Sequence, residues 1–335
     1  MTTSEYFEKL LDRVNLKIDD DERKMIEEKH NGFREMLLAK LPLKDDFLTG
    51  SYRRHTIIKP RKDGDKFDVD VFVAFDKEDY GEKELAELRG EVAEALNAIK
   101  DENPELGITN VNDSQRRSVC VEFGNNFRID VVPSIEIEKD KLYKIFDRRT
   151  LKAIKSNPKL HAALLSEANE KTGGRLVPVI KILKGWKRVK CDYVKSFHIE
   201  MLALDILGNA EISSYAEGVA KFFSDAGSKL QKASLADPAN KEHYIDAYLD
   251  DDGNRQRLLG IIATEDDAAC RALDAEKREN GDPVKEWESI FENADTDIAK
   301  AIESGSFAMG IGGIRVGGTT SHGRSIKSPN SWRAD

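Results

Sequence analysis

A chain of 335 residues is long enough to bury two separate cores, and 39% hydrophobic against 34% charged residues describes a water-facing globular protein rather than a disordered or membrane-embedded one. The 53 Lys and Arg fall short of the 62 Asp and Glu, and the resulting net charge of −9 argues against broad capture of duplex nucleic acid while leaving a local basic groove open. Cys120, Cys191 and Cys270 lie far apart without CxxC spacing, which fits a reducing compartment and lends nothing to a zinc site. The opening "MTTSEYFEKLLDRV" is charged from the start, unlike a signal peptide, and no apolar run reaches membrane-spanning length, so a cytoplasmic protein is expected.

In chain order, residues up to about Leu41 read as helical. Within "KMIEEKHNGFREMLLAKL", Ile26, Phe33, Leu37 and Leu41 recur at helical spacing with charges on the other side, and Pro42 closes the segment. A Gly50-Ser51 turn follows, then a loop carrying "KPRKDGD", then a strand over Phe67–Phe75. A helix is expected over roughly Lys83–Lys100, ending before Pro104. "RRSVCVEF" and "FRIDVVPSI" read as strands joined by the hairpin signal "GNN". From Thr150 onward strand signals vanish, and "LVPVIKILKGWKRV", "SFHIEMLALDIL", "SYAEGVAKFFSDAGSKL", the stretch after Asn254 and "VKEWESIFENADTDIAKAI" all read as helices. The end, "MGIGGIRVGGTTSHGRSIKSPNSWRAD", is rich in Gly, Ser and Thr and short of core formers, so a mobile tail is expected there. The expected fold class is α+β: a mixed part over 1–150, a helical part over 151–308 and a tail over 309–335.

In "FDVDVFVAF", Asp68 and Asp70 are two residues apart in an apolar strand and so point to the same face. Side-by-side carboxylates repel each other and lose hydration unless a cation sits between them. In "FRIDVVPSI", Asp130 projects from the face opposite Ile129 and Val131 and supplies a third carboxylate on a strand that can lie beside the first. Three convergent carboxylates can hold two divalent cations about 3.5–4 Å apart, the arrangement that clamps attacking and leaving oxygens in phosphoryl transfer. Mg²⁺ suits such a site, because it takes a few carboxylates together with substrate phosphates. Gly50 lets backbone approach a phosphate closely, and Ser51 can donate hydrogen bonds to it. "GS" alone and "DVD" alone are weak signals; their order, with a lone Asp in a later apolar strand, is much stronger.

That ordered set resembles the DNA polymerase β-like nucleotidyltransferase superfamily and, within it, the bacterial cGAS/DncV-like nucleotidyltransferases (CD-NTases). "TGSYRRHTII", "FDVDVFVAF" and "FRIDVVPSI" are similar to the catalytic blocks, and "VIKILKGWKR" followed by "KSFHIEMLALDI" to the helical segments that hold the triphosphate. The resemblance runs from about Leu48 to Leu207, with the Arg61–Lys66 loop as a tolerated departure. It implies a nucleotidyltransferase lobe of mixed sheet and helices plus a helical lobe, with the active site in the cleft between them. It implies that Asp68, Asp70 and Asp130 are catalytic and ligate two Mg²⁺ ions, Mn²⁺ being able to substitute, with Asp130 helping to take the proton from the attacking ribose hydroxyl. Gly50, Ser51, Lys184 and Ser196 would hold the triphosphate, and Phe197 stands where an aromatic stacks on a base in relatives. From the residues themselves, Lys181, Lys184 and Arg188 share one helix face, a cationic row suited to phosphates.

The implied reaction is synthesis of a cyclic di- or trinucleotide messenger from nucleoside triphosphates, ATP among them, in bacterial anti-phage signalling. A messenger-sensing effector would lie downstream, and the tail would be a docking or conjugation point for a partner protein. Neither a membrane nor strong duplex binding is expected. The rivals are linear oligoadenylate synthesis, RNA tailing or protein nucleotidylation by the same machinery, and a catalytically silent scaffold. Base choice, ring size and linkage are not legible. The alternative readings are solvent-facing strand positions for Asp68, Asp70 and Asp130, a helix cap for Ser196 and, favoured where the resemblance is set aside, a solvated helix face for the Lys184 row. His161 and His198 read as packing or surface residues and Trp186 as core. Arg53, Arg54 and His55 stay open between substrate and solvent.

Overall fold

The computed structural model describes residues 1–16, 20–60, 67–80, 85–124, 127–139, 141–251, 253–291, 309–310 and 313–314. Helix α1 (Thr3–Val14) opens with a capping box in which Thr2 and Glu5 satisfy each other's backbone N–H groups. Helix α2 (Asp20–Lys40) ends just before Pro42 and buries Ile26, Phe33 and Leu37, the expected stripe. Strand β1 (Asp45–Thr49) leads into the short helix α3 (Gly50–Arg53), then strand β2 (Phe67–Asp76), helix α4 (Lys77–Tyr80) and helix α5 (Leu85–Glu102). Strands β3 (Ile108–Asn112), β4 (Val119–Phe123), β5 (Phe127–Glu138), β6 (Leu142–Asp147) and β7 (Lys152–Ser156) complete a seven-stranded sheet.

The sheet runs β1-β2-β5-β4-β3, with β6 on the far end of the long β5 and β7 beyond β6. The β2–β5 pair is parallel and every other pair in the sheet is antiparallel, so the sheet is mixed. Alternation in β2 divides its side chains. Val69, Val71, Val73 and Phe75 pack with α2 and α5 in one core, whereas Asp68, Asp70 and Phe72 face the other way. On that second face a smaller cluster of Phe72, Ala74, Val132, Tyr143 and Ile145 floors the region beside the carboxylates.

The remainder is mainly helical: α6 (Pro158–Lys171), α7 (Leu176–Lys190), α8 (Ser196–Leu207), α9 (Tyr215–Lys229), α10 (Asn254–Glu276) and α11 (Pro283–Phe291). These helices share a core with Trp186 and Trp287 at its centre, and α1 joins it through Tyr6, Phe7 and Leu10. Phe7 packs edge-on against Trp287, ring centroids 4.9 Å apart.

The expectation that strands end at Thr150 is overturned. β7 extends the sheet to Ser156, and β8 (Ala236–Asp237) with β9 (Asn240–Tyr244) forms a small hairpin among the helices. These strands lack an apolar signal: "KAIKS" and "NKEHY" are largely exposed edge segments whose charges face solvent. β1, β3 and β6 also went unread, each being five or six residues long. Met309–Gly310 pairs with Gly313–Ile314, strands β10 and β11; the rest of the expected tail and the Arg61–Lys66 loop lie outside the described residues. Among the described residues no helix is long and apolar enough to cross a membrane.

Candidate active site

Parallel pairing sets Asp70 directly opposite Asp130, and Asp68 opposite Arg128. Because paired residues in a sheet share a face, Asp68, Asp70 and Asp130 stand together on the surface left bare of helices α2 and α5. Burial, then the neighbouring charges of Asp130 and Asp68, push the Asp70 carboxyl up to about 7. Asp130 is likewise pushed up, first by burial. The Arg128 guanidinium lies 2.5 Å from Asp68 Oδ1 through Nε, donates a 2.7 Å hydrogen bond to Asp68 Oδ2 through Nη2, and stands 3.9 Å from Asp130 Oδ2. With this cation among the carboxylates, no three His, Cys, Asp or Glu side chains among the described residues stand in metal-ligating geometry. The Oδ1 atom of Asp130 is buried and lacks a hydrogen-bond partner among them.

Gly50 is required by geometry before any ligand is considered. Its φ is +68°, and a Cβ there would sit 1.6 Å from Asp70 Oδ2. The turn therefore lies directly on the carboxylate. Ser51 follows, and its carbonyl accepts from the backbone N–H groups of Thr56 and Ile57, which fixes the "GSYRRHT" loop.

Across the cleft, the cationic row of α7 is engaged by protein rather than solvent. Lys184 is buried and donates to Glu200 Oε1 (2.9 Å) and to the Thr56 carbonyl (2.8 Å). Lys181 donates to Asn15 Oδ1 (3.0 Å), and Arg188 donates to the Lys59 carbonyl. Glu200, on α8, also accepts from Arg54 Nε at 2.8 Å. Burial raises the Glu200 carboxyl, but Arg54 and Lys184 outweigh it and hold it at about 2. Ser196 is the first residue of α8, preceded by Lys195 with no side-chain cap, so that helix opens without a competing oxygen.

Two cavities flank Asp70. The first, about 380 Å³, is lined by Gly50, Ser51, Asp68, Asp70, Lys184 and Ser196 among others. Six of the seven residues expected from sequence thus converge on one space; Asp130 lies beside Asp70 but outside that lining. The second, about 240 Å³, shares Gly50, Arg54, Asp70 and Phe197 with the first and runs over Phe72, Val132 and Ile154 toward Arg117, His161 and His243. Phe197 stands between them, with Arg54 over its ring at 5.2 Å and His161 edge-on at 5.2 Å. His161 Nε2 is 2.7 Å from Asp237 Oδ1, whereas His198 is fully buried and bonds the Tyr248 hydroxyl.

Arg128, Glu200, Arg54 and the His161–Asp237 pair are the residues that sequence reasoning missed or left open. Arg128 was findable, since it stands two residues before Asp130 and so shares its face. Glu200 was findable as the i+4 partner of Ser196 on one helix face. Asp237 sits on the hairpin that carried no strand signal.

A model of the Second Messenger Oligonucleotide or Dinucleotide Synthetase domain matches residues 1–169. The Cyclic AMP-AMP-AMP synthase of an Acinetobacter species is 28% identical over 152 residues, 44% of this chain and 41% of that protein. The CCA-adding enzyme of Methanocaldococcus jannaschii is 30% identical over 145 residues, 43% of this chain and 27% of that protein. The matched stretch therefore spans less than half the length of either curated relative. Escherichia coli MS115-1 CdnC, solved with ATP, superposes with a TM-score of 0.67 at 20% identity, over 88% of this chain and 98% of that one. CdnC has also been solved in a complex with HORMA-deltaN. The domain match covers just over half the sequence, and the mixed sheet with its helical companion reproduces a solved fold of the kind the catalytic blocks resemble. On those grounds the chain belongs to the Second Messenger Oligonucleotide or Dinucleotide Synthetase domain family, the CD-NTases.

Proposed function

We propose that this chain is a Mg²⁺-dependent nucleotidyltransferase, cytoplasmic, that joins nucleoside triphosphates into a cyclic di- or trinucleotide messenger. The observation that carries the reading is the register of Asp70 against Asp130 with Asp68 alongside, Asp70 itself lining both of the cavities that flank it. One cavity suits the donor triphosphate and the other the acceptor. Relatives support the chemistry: one is named a Cyclic AMP-AMP-AMP synthase, and CdnC has been solved with ATP.

Asp68, Asp70 and Asp130 would hold a divalent metal once Arg128 leaves them, although as they stand they form no metal-ligating cluster. They are crowded, Asp70 resists ionisation, and Asp130 keeps a buried oxygen with no partner. When bound, Mg²⁺ would neutralise the carboxylates and withdraw charge from the transferring phosphoryl group. The chain's own residues do the rest. Gly50 and Ser51 carry backbone against the donor phosphates. Lys184, two of whose three N–H bonds are fixed by Glu200 and Thr56, offers the third from a rigid position. Ser196 offers its hydroxyl and the N-terminus of α8. The acceptor ribose hydroxyl forms a bond to the α-phosphorus and pyrophosphate leaves; Asp130 receives the hydroxyl proton. Arg128 must yield its place among the carboxylates for the metal to enter.

The setting inferred from the family is bacterial anti-phage signalling, with an effector that senses the product. A protein partner is proposed by analogy with the CdnC–HORMA-deltaN complex. A second reading, addition of nucleotides to RNA, draws on the CCA-adding relative. Incubating the full chain with the four NTPs and Mg²⁺, treating with phosphatase and weighing the products separates the two. A phosphatase-resistant cyclic product is expected. Exclusively linear, phosphatase-sensitive products, or incorporation only into added RNA, would overturn the first reading.

A further inference from the structure

Helix α7 carries a cationic row, yet Lys181 and Arg188 of that row are engaged by protein before any ligand arrives. Lys181 donates to Asn15 Oδ1 at 3.0 Å, and Arg188 donates to the Lys59 carbonyl. Both acceptors belong to one junction, where the end of α1 meets a strap formed by residues 56–60. The last carbonyls of a helix have no partners within it. At the end of α1, the Val14 carbonyl accepts from the Lys59 backbone N–H at 2.9 Å, and Asn15 forms an antiparallel bridge with Ile58. Lys184, between the other two cations of the row, takes the Thr56 carbonyl at 2.8 Å. The strap is therefore held at Thr56, Ile58 and Lys59 by α1 and α7 together.

Gly185 shows how closely the junction is built. A Cβ there would lie 2.7 Å from Val14 Cγ1, so α7 admits the end of α1 at a position without a side chain. Glycine weakens a helix interior, and a close approach of this kind is a packing reason to keep it. The strap in turn walls the first cavity: Ile57, Ile58 and Pro60 line it and, with Phe197, supply apolar surface beside the carboxylates and Lys184. Apolar surface next to a few placed polar groups is what a nucleoside needs. Val14, Asn15 and Lys181 stand outside that lining, so whatever they do to a ligand passes through the strap. Lys181 is half-buried, where an ammonium stripped of its acceptor is costly, so the Asn15 oxygen fixes its direction.

We infer that Asn15 is a positioning residue for the donor nucleotide: through Lys181 and the adjoining Val14–Lys59 contact it sets the strap that forms the apolar wall of the donor cavity. Lys181 then serves the strap, and Lys184 serves the phosphates. The assignment rests on the synthase reading, which makes the first cavity the donor site. It also gives α1 a part in the site, because that helix is rooted in the helical core through Tyr6, Phe7 and Leu10 and ends at the strap. A wall fixed from a packed core holds its shape before the ligand enters, which lowers the ordering needed on binding.

The test titrates α,β-methylene-ATP and its guanosine counterpart calorimetrically into the full chain with Mg²⁺ and follows product formation in parallel. Asn15→Ala should weaken the tighter analogue about fivefold or more and raise KM by a similar factor, with kcat within about twofold of wild type. Asn15→Asp keeps an oxygen for Lys181 and should bind within about twofold of wild type. Lys181→Met should match Asn15→Ala, and the two together should be no worse than either alone, because both break one link. Were Lys181 itself a phosphate ligand, Lys181→Met would weaken binding with or without Asn15, and Asn15→Ala alone would leave binding intact; that pattern overturns the inference. So does a fall in kcat at unchanged KM, which a loosened fold produces by lowering the active fraction. A wild-type chain that binds neither analogue brings down the donor site and the proposed function together. Binding in wild type that the Asn15 and Lys181 variants leave unchanged brings down the inference alone.

Discussion

Glu200→Gln tests the buried ion cluster that ties the two halves of the cleft. The carboxylate is 1% exposed and holds Arg54 at 2.8 Å and Lys184 at 2.9 Å. Burial alone would raise its pKa; the two cations bring it to about 2, against a usual 4.5. A depression of that size is worth about 3 kcal/mol in favour of the folded, ionised form. Removing one partner of a buried pair commonly costs about 3–5 kcal/mol, because the other charge is left stranded. The amide keeps the shape and one acceptor, so a loss near the lower figure, about 3 kcal/mol, is expected. Urea unfolding of wild type and variant across a pH series reads it. The folded pKa lies below the unfolded one, so the contribution is complete above about pH 4.5 and drains away as pH falls toward 2. The difference between the two proteins should be flat from about pH 7.5 to 5 and then shrink. A difference under about 0.5 kcal/mol near neutrality, or one undiminished at about pH 3, would refute the cluster as described.

Gly50→Ala should cost about 1–3 kcal/mol from the left-handed backbone alone, and it should reduce product formation by more than about 100-fold because the added methyl collides with Asp70; near-normal turnover would show that the close approach is dispensable. Asp70→Asn should abolish product and, in EDTA, melt above wild type at about pH 8, since a carboxyl pushed up to about 7 penalises the fold increasingly as pH rises from about 4. Added Mg²⁺ should raise the wild-type melting temperature and leave that variant unmoved; equal shifts in both would place the metal elsewhere. Phe7→Ala, at a ring 1% exposed and packed on Trp287, should cost about 3–5 kcal/mol in urea unfolding, whereas a loss below about 1 kcal/mol would detach α1 from the helical core.

Where the sequence was legible, physics acted locally. The apolar stripe of α2 and the 3.6-residue rhythm of α7 and α8 required only neighbours in the chain, and the observed helices match them. The β2 and β5 strands were equally plain, because a strand buried on a sheet interior must be rich in Val, Ile and Phe. The edge strands were not, since "KAIKS" and "NKEHY" owe their conformation to a partner rather than to their own composition. The same division governs the site. The carboxylates and the Gly-Ser turn are marked by spacing, whereas the engagement of Lys184 with Glu200 and Thr56 spans as many as 128 positions and depends on how two halves of the chain meet. A cationic row on a helix indicates charge, not what that charge touches.

Three aspartates on one face pose a problem of charge, and the parallel register solves half of it. Asp68 faces Arg128 across the pair, so its charge is met by a guanidinium at hydrogen-bond distance. Asp70 faces Asp130 in the same register, and there the chain supplies a carboxylate where a cation would be needed. The burial that crowds Asp70 and Asp130 thus leaves both pushed up, whereas Asp68 keeps its guanidinium partner. The demand for positive charge is strongest at the Asp70–Asp130 pair, next to the glycine that admits no side chain, with Asp70 lining both cavities. A fold selected only for stability would place Lys or Asn at one of these positions. Keeping two carboxylates in register at a cost to folding is what the proposed function calls for: under it, the missing cation would come from solution and sit where a phosphoryl group is to be transferred.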